Sequence, residues 1–367
     1  TKKHREPFFD FTTSSFPQTL SPINIPAYGF LRGLWIRVDA VGAAGAATYG
    51  SAAAGNDFPF TVFSFIGLFD VNGAPLYGPF ASGFQAYLIG KYGGYHRYFD
   101  ARVGDATFPA SGNFGFWLYV PVELVRRNAL GALANLNAAA TYKLQLTTNT
   151  NANTYLAVPA TPPTGIRIRI WLDAWAQPPA TDLLGNMTQQ IPYAHGTTQF
   201  HSEQVYTIGA GNQIVRLLRV GLYIRNLIVT VRQTSGARNI TSQPVSDAMW
   251  PDPIQLFLDG FELVNVGQNF FWQDMYSLFN TSPQNIDGVT SPLVSGRDTS
   301  VYVFNFIDDD SPLPGMEERN RYLPTLQSSR LELRGTFGAS TASLSVITND
   351  VAPAGDIFQG ATDNSTV

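Results

Sequence analysis

Two stretches decide how this chain is read: Leu31-Arg32-Gly33-Leu34-Trp35-Ile36-Arg37-Val38, and Ile224-Arg225-Asn226-Leu227-Ile228-Val229-Thr230-Val231. Each is a short run of branched and aromatic residues with imperfect alternation, which is the pattern of a β-strand. The opening Leu31-Arg32-Gly33-Leu34 returns as Ile224-Arg225-Asn226-Leu227, an offset of 193 (31 to 224). Other pairs follow in the same order. Ile66-Gly67-Leu68-Phe69 returns as Ile254-Gln255-Leu256-Phe257, an offset of 188 (66 to 254). Trp117-Leu118-Tyr119-Val120 returns loosely as Tyr302-Val303-Phe304-Asn305, an offset of 185 (117 to 302). Tyr142 to Leu146 pairs with Arg330 to Leu333, and Ile166 to Trp171 with Ala342 to Ile347. The last pair runs into Pro-containing exits, Ala176-Gln177-Pro178-Pro179 and Val351-Ala352-Pro353-Ala354. The order is preserved while the offsets drift only as loop lengths change. A period this long indicates a duplicated domain rather than a solenoid.

Between these runs stand Gly and Pro turns and further strand patterns. Phe114 to Val120 is apolar throughout, as in a strand buried on both faces, and Thr141 to Thr147 alternates at period two. Many short strands with such punctuation predict sandwiches. Helical pattern is scarce. Pro121 to Leu136 is the best candidate, because proline suits a first turn and Val122, Val125, Ala129 and Leu133 fall on one face. Phe84 to Tyr92 and Phe270 to Phe279 each suit a short helix. The expected fold is all-β: two tandem eight-stranded jelly-roll sandwiches with short helices in the long loops. The expected divisions are an N-terminal arm over 1–20, a first jelly roll over 21–180, a second over 181–350, and a tail over 351–367, with the joint near Pro178 to Asp182.

The bulk numbers agree with a structural β protein. The 367 residues exceed one ordinary core and suit two domains. Only 14% are charged, against about 25% in ordinary soluble domains. Little charge leaves little solvated surface, so large buried interfaces are expected. A net charge of -4 argues against a broad nucleic-acid face, and the lack of cysteine excludes disulfides and thiolate chemistry. The first residues lack the apolar core of a signal peptide, and Phe58 to Phe69 is too short to span a bilayer, so a soluble, non-secreted chain is expected.

Asp57-Phe58-Pro59-Phe60, then Asp70 to Pro75, then Tyr87 to Tyr95, resembles the first barrel of double jelly-roll major capsid proteins of tailless, tectivirus-like bacteriophages. That lineage includes the adenovirus hexon. Pro121 to Leu133 resembles the helix after the F strand there. The resemblance implies a homotrimer with a pseudo-hexagonal outline, tiling an icosahedral shell over an internal membrane. The implied partners are the chain itself, neighbouring capsomers, penton and minor capsid proteins and the viral membrane, with no specific nucleic-acid contact. The implied location is the virion, assembled in the host cytoplasm. No cofactor and no enzymatic activity are expected.

The candidate sites differ in their chemistry. In Asp70-Val71-Asn72-Gly73 the glycine comes too early for a calcium loop, and Asn72-Gly73 suits a hairpin turn with both residues at positive φ. Lys2, Lys3 and Arg5 read as an arm facing an anionic membrane. His96 with Asp100 offers a base and its orienter, but a packed loop histidine is the expected reading. His195, His201 and Glu203 have part of a cupin-like metal set without the remaining ligands. Asp308 to Asp310 with Glu317 and Glu318 reads as a solvated acidic connector, and Arg167, Arg169, Arg216 and Arg219 as interface or wet-face charges. The alternative function is a two-jelly-roll glycan-binding protein or glycan-releasing amidase, for which Asp173 with Trp171 and Trp175 is the nearest carboxylate–aromatic set. No nucleophile triad or phosphate loop is present.

Overall fold

The computed structural model describes residues 3–45, 57–95, 112–124, 130–155, 158–176, 181, 183–186, 198–239, 247–283, 296–307 and 322–352. Branched and aromatic runs pair into sheets, and the elements come in two successive sets. The first contains β1 (Lys3–Thr13), β2 (Ile23–Asn24), β3 (Phe30–Val41), β4 (Phe63–Phe69), β5 (Pro75–Phe80), α1 (Gly83–Tyr92), β6 (Gly115–Pro121), β7 (Leu133–Ala134), β8 (Lys143–Thr148), α2 (Asn151–Thr154) and β9 (Gly165–Trp175). The second contains β10 (Thr198–Thr207), β11 (Gly211–Leu217), β12 (Tyr223–Gln233), β13 (Ile254–Leu258), β14 (Phe261–Val266), α3 (Gln268–Phe279), β15 (Val301–Asn305), β16 (Leu323–Pro324), β17 (Leu331–Phe337) and β18 (Thr341–Ala352).

The topology of the two sets is the same. One sheet of the first copy runs β1-β9-β3-β6, with β7 also on β3; its counterpart runs β10-β18-β12-β15, with β16 also on β12. The facing sheets run β2-β8-β4-β5 and β11-β17-β13-β14. Each copy is a jelly roll of two four-stranded sheets with a helix after its fifth strand.

The register repeats residue by residue. Leu31 faces Ala174, then the ladder skips Arg32 and resumes at Gly33 opposite Asp173. In the second copy Ile224 faces Asp350, the ladder skips Arg225, and it resumes at Asn226 opposite Asn349. Arg32 and Arg225 thus sit at the same bulge, and both are buried. Leu34, Ile36 and Val38 point into the first core, and Leu227, Val229 and Val231 into the second.

The two patterns read as short helices, Phe84 to Tyr92 and Phe270 to Phe279, fall within α1 and α3. Trp35 faces Tyr119, while the equivalent Ile228 faces Val303, so Trp117 corresponds to Val301 and not to Tyr302. A one-residue slip in a strand exchanges its faces, and two aromatic runs without alternation cannot fix that register. The helix expected over Pro121 to Leu136 is not formed in its described part. Val122 N and Glu123 N both donate to Arg32 O, and Leu133 and Ala134 pair with Leu31 and Phe30 as β7. Its remaining residues, 125–129, lie outside the described set. The apolar spacing that imitates a helix serves a connection tied to β3.

At the β4–β5 hairpin, Asp70 N donates to Ala74 O and Gly73 N to Asp70 O. The Asp70 side chain accepts from Asn72 N (2.8 Å) and Ala74 N (2.7 Å). Gly73 has φ +87°, and among the described residues Asn72 is not one of the non-glycine positions with positive φ. The loop therefore needs one left-handed residue, not the two that the sequence reading assigned. Nothing lies within 4 Å of a Cβ built on Gly73. Gly73→Ala should cost about 1–2 kcal/mol from backbone strain alone, read as a lower urea midpoint with unchanged slope.

Candidate functional site

The two jelly rolls meet through a sheet edge and a helix. Strand β10 of the second copy runs parallel to β5 of the first, registered at His201 against Tyr77, so one sheet continues from copy to copy. Helix α1 opens on Ser82, whose side chain accepts from Phe84 N (3.2 Å), and all ten of its residues are buried. Its outward side lies on the second copy. Lys91 Nζ donates to Asp298 (2.7 Å) and to Gly296 O (2.6 Å). Tyr92 and Tyr87 hydroxyls donate to the same carboxylate at 2.8 and 3.3 Å. Gln85 Nε2 donates to Glu203 (2.9 Å), and Arg225 to Gly93 O at the helix end (3.0 Å). Asp57 of the first copy accepts from Arg232 (2.7 Å) and Arg238 (2.8 Å) of the second. Charges this buried are tolerated only when fully paired, so the contact has one geometry.

His201 is the centre of this edge. Its ring meets Tyr77 edge-on at 5.4 Å. Burial first, and then the nearby Arg225 guanidinium, lower its pKa to about 3. The imidazole is neutral and acts as packing material.

The copies differ in what covers equivalent surfaces. In the second copy, the sheet face turned away from its own core carries Ile228, Val301 and Ile347, none more than 1% exposed. Helix α1 of the first copy packs against β12 there. The equivalent residues of the first copy are Trp35, Trp117 and Trp171. These line, with Arg5, an open groove of about 370 Å³. Trp117 lies 6.3 Å from Trp35 and 5.0 Å from Trp171, and Arg37 and Arg169 stack on the outer rings. Conversely α3, the counterpart of α1, buries only Gln268, Phe271, Trp272 and Met275. Phe270 is 63% exposed, and on the adjoining β14 Phe261 is 78% exposed.

Lys3 and Arg5, read as part of an arm, lie in β1: Lys3 Nζ sits over Trp175 at 5.8 Å, and Arg5 Nε is 3.5 Å from Asp173. Lys2, His96, Asp100, His195, Asp308 to Asp310, Glu317 and Glu318 lie outside the described residues. Glu203 accepts from Gln85 and Ser345, and among the described residues no group of three or more His, Asp or Glu could hold a metal ion. Arg167 pairs with Asp10 (2.6 Å), Arg169 with Asp39 (2.7 Å) and Arg219 with Asp350 (2.9 Å), while Arg216 donates to Ser329 O (2.8 Å). Asp173 is fully buried, accepting from Arg32 Nη1 (2.9 Å) and Trp35 Nε1 (3.3 Å). Arg32 also pairs with Glu123. Trp175 packs on the Arg32 guanidinium, apart from the groove of Trp171. The carboxylate–aromatic set read from sequence is a structural ion-pair network. Trp35 and Trp117 come from separate strands, so only folded topology brings them to Trp171.

No family model and no curated protein matches this sequence. Solved structures do match. The major capsid protein of Sulfolobus turreted icosahedral virus superposes with a TM-score of 0.65 at 14% identity, over 99% of this chain and 100% of that one. The major capsid protein of bacteriophage PM2 gives 0.54 at 9% identity, over 96% and 98%. The PBCV-1 virus capsid gives 0.57 at 12%, over 96% and 94%. This chain has a double jelly-roll fold, shared with those capsid subunits over nearly the whole of their length. Only one of the three comes from a bacteriophage, so the fold is broader than the tectivirus-like phages that the sequence resembles.

Proposed function

We propose that this chain is a major capsid protein, a structural subunit without enzymatic activity that assembles as trimers into an icosahedral shell. The observation that carries this reading is the repeat of one jelly roll, strand for strand, with its two copies joined edge to edge. Two similar walls per chain let three chains form a six-sided block, and such blocks tile a closed surface. The full-length likeness to three viral capsid proteins supports the same reading. So does the low charge, which suits a protein that buries much of its outer surface. Individual contacts between blocks need not be strong, because a closed shell engages many at once.

The glycan-directed alternative loses its chief support, since Asp173 is buried and held by Arg32. The test is the mass of the purified protein by sedimentation equilibrium. A trimer of three times 40.1 kDa, or larger assemblies built from it, is expected. A concentration-independent monomer would refute the proposal.

A further inference from the structure

The two copies close their feet differently. The foot is the end where the first strand of a copy begins and its last strand finishes: Lys3 against Trp175 in the first copy, Thr198 against Ala352 in the second. At the foot of the first copy, Ala174 lies between His4 and Leu31. At the equivalent place in the second, Asp350 lies between Phe200 and Ile224. Asp350 shares the core side of β18 with Leu344 and Val346, and it is 1% exposed. A carboxylate thus stands where the other copy of the same fold has a methyl group.

This carboxylate is held on one side only. Arg219, in the connection between β11 and β12, places Nε and Nη2 each 2.9 Å from Oδ2. Oδ1 is buried and accepts no hydrogen bond from another residue. The neighbouring strands bring Phe200 from β10 and Ile224 from β12, and β16 sets Leu323 and Pro324 against Ile224 and Tyr223. The charged group that acts on Asp350 is Arg219. Arg225 turns away to Gly93 O, and His201 lies on the opposite face of β10 against Tyr77. Burial is the larger influence and raises the Asp350 pKa to about 6, against a smaller downward pull from Arg219.

We infer that Asp350 and Arg219 form an acid-released latch at the foot of the second jelly roll. When both are charged, the pair draws the β11–β12 connection onto the end of the core. A proton on Asp350 removes the negative charge at the oxygen that no donor reaches. Arg219, whose side chain is already 38% exposed, then turns out to solvent as a free cation. The proton does not unfold the jelly roll. The folded pKa lies above the ordinary 3.8, so the folded chain takes the proton first, between about pH 6 and 4, and its uptake favours the folded state. Only the connection loosens. It keeps two further ties, from Leu218 N to the Tyr206 hydroxyl and from Gly221 N to Thr325 O, both 3.0 Å. With Ala174 at the equivalent position, the first copy has no such response.

Hydrogen exchange of the full chain, read by mass spectrometry at pH 7.5 and pH 5 and corrected for the intrinsic effect of pH, tests the latch. Amides of residues 218–222 should exchange about tenfold faster at pH 5, as expected for the loss of one charge-assisted hydrogen bond, while β13 and β17 stay protected. Asp350→Asn should show the fast rate at both pH values, and so should Arg219→Gln, each with the circular dichroism of the parent. If one of the two variants does not fold, the other still decides. His201→Gln should keep the wild-type response, because that ring lies on the other face of β10. A wild-type connection that exchanges equally at both pH values overturns the latch. So does a response that survives in Asp350→Asn, or one that disappears in His201→Gln.

Discussion

Asp298→Ala is expected to destabilise the chain by about 3–5 kcal/mol, among the largest losses that any single side chain here would cause. The carboxylate is fully buried and receives Lys91 Nζ and the Tyr87 and Tyr92 hydroxyls. Removing it takes from the buried Lys91 ammonium, between the two jelly rolls, a carboxylate that lies 2.7 Å away. The loss should appear as a lower midpoint in urea. It should also appear as faster amide exchange along α1 and β10, which the contact holds together. Replacing both partners, Lys91→Met with Asp298→Leu, should recover most of the loss, because the penalty comes from the buried charge that remains more than from the lost attraction. A loss below about 1 kcal/mol for the single variant would mean the copies are not held in this geometry.

The second large effect is acid lability centred on His201. Its folded pKa, about 3, lies below the ordinary value of 6.5. An unfolded chain therefore binds the proton first. The neutral ring contributes its full stability above about pH 6.5, and that contribution falls as pH drops towards 3. A shift of this size corresponds to roughly 5 kcal/mol when the loss is complete. The group sits on the β5–β10 edge, between Tyr77 and the Arg225 side, so acid should part the two copies before either core melts. His201→Gln should flatten the pH dependence of the urea midpoint between pH 6.5 and 4 while lowering stability at pH 8. An unaltered pH profile in that variant would remove His201 from the account.

Much of this architecture can be read from the sequence, and the reasons differ by element. The duplication shows because Leu31 to Leu34 and Ile224 to Leu227 encode the same bulge, with an arginine that must be buried and paired in both. Helices α1 and α3 show because each follows a hairpin and breaks the period-two pattern. Strand β1 hides because Lys3, His4, Arg5 and Glu6 put charge on consecutive positions of an edge strand, where one side faces solvent. Its sequence reads as an arm although it pairs along the whole of β9. The tryptophan face hides for another reason. Trp171 can be noticed, but Trp35 and Trp117 reach it only through the order β9-β3-β6. The groove is thus a property of topology, and no local motif announces it.

Electron microscopy of the assembled protein tests the central claim most directly. The account predicts blocks of three chains with a pseudo-hexagonal outline and six upright jelly rolls around one axis. Particles with a single barrel per chain, or chains that stay separate and form no three-chain block, would contradict it.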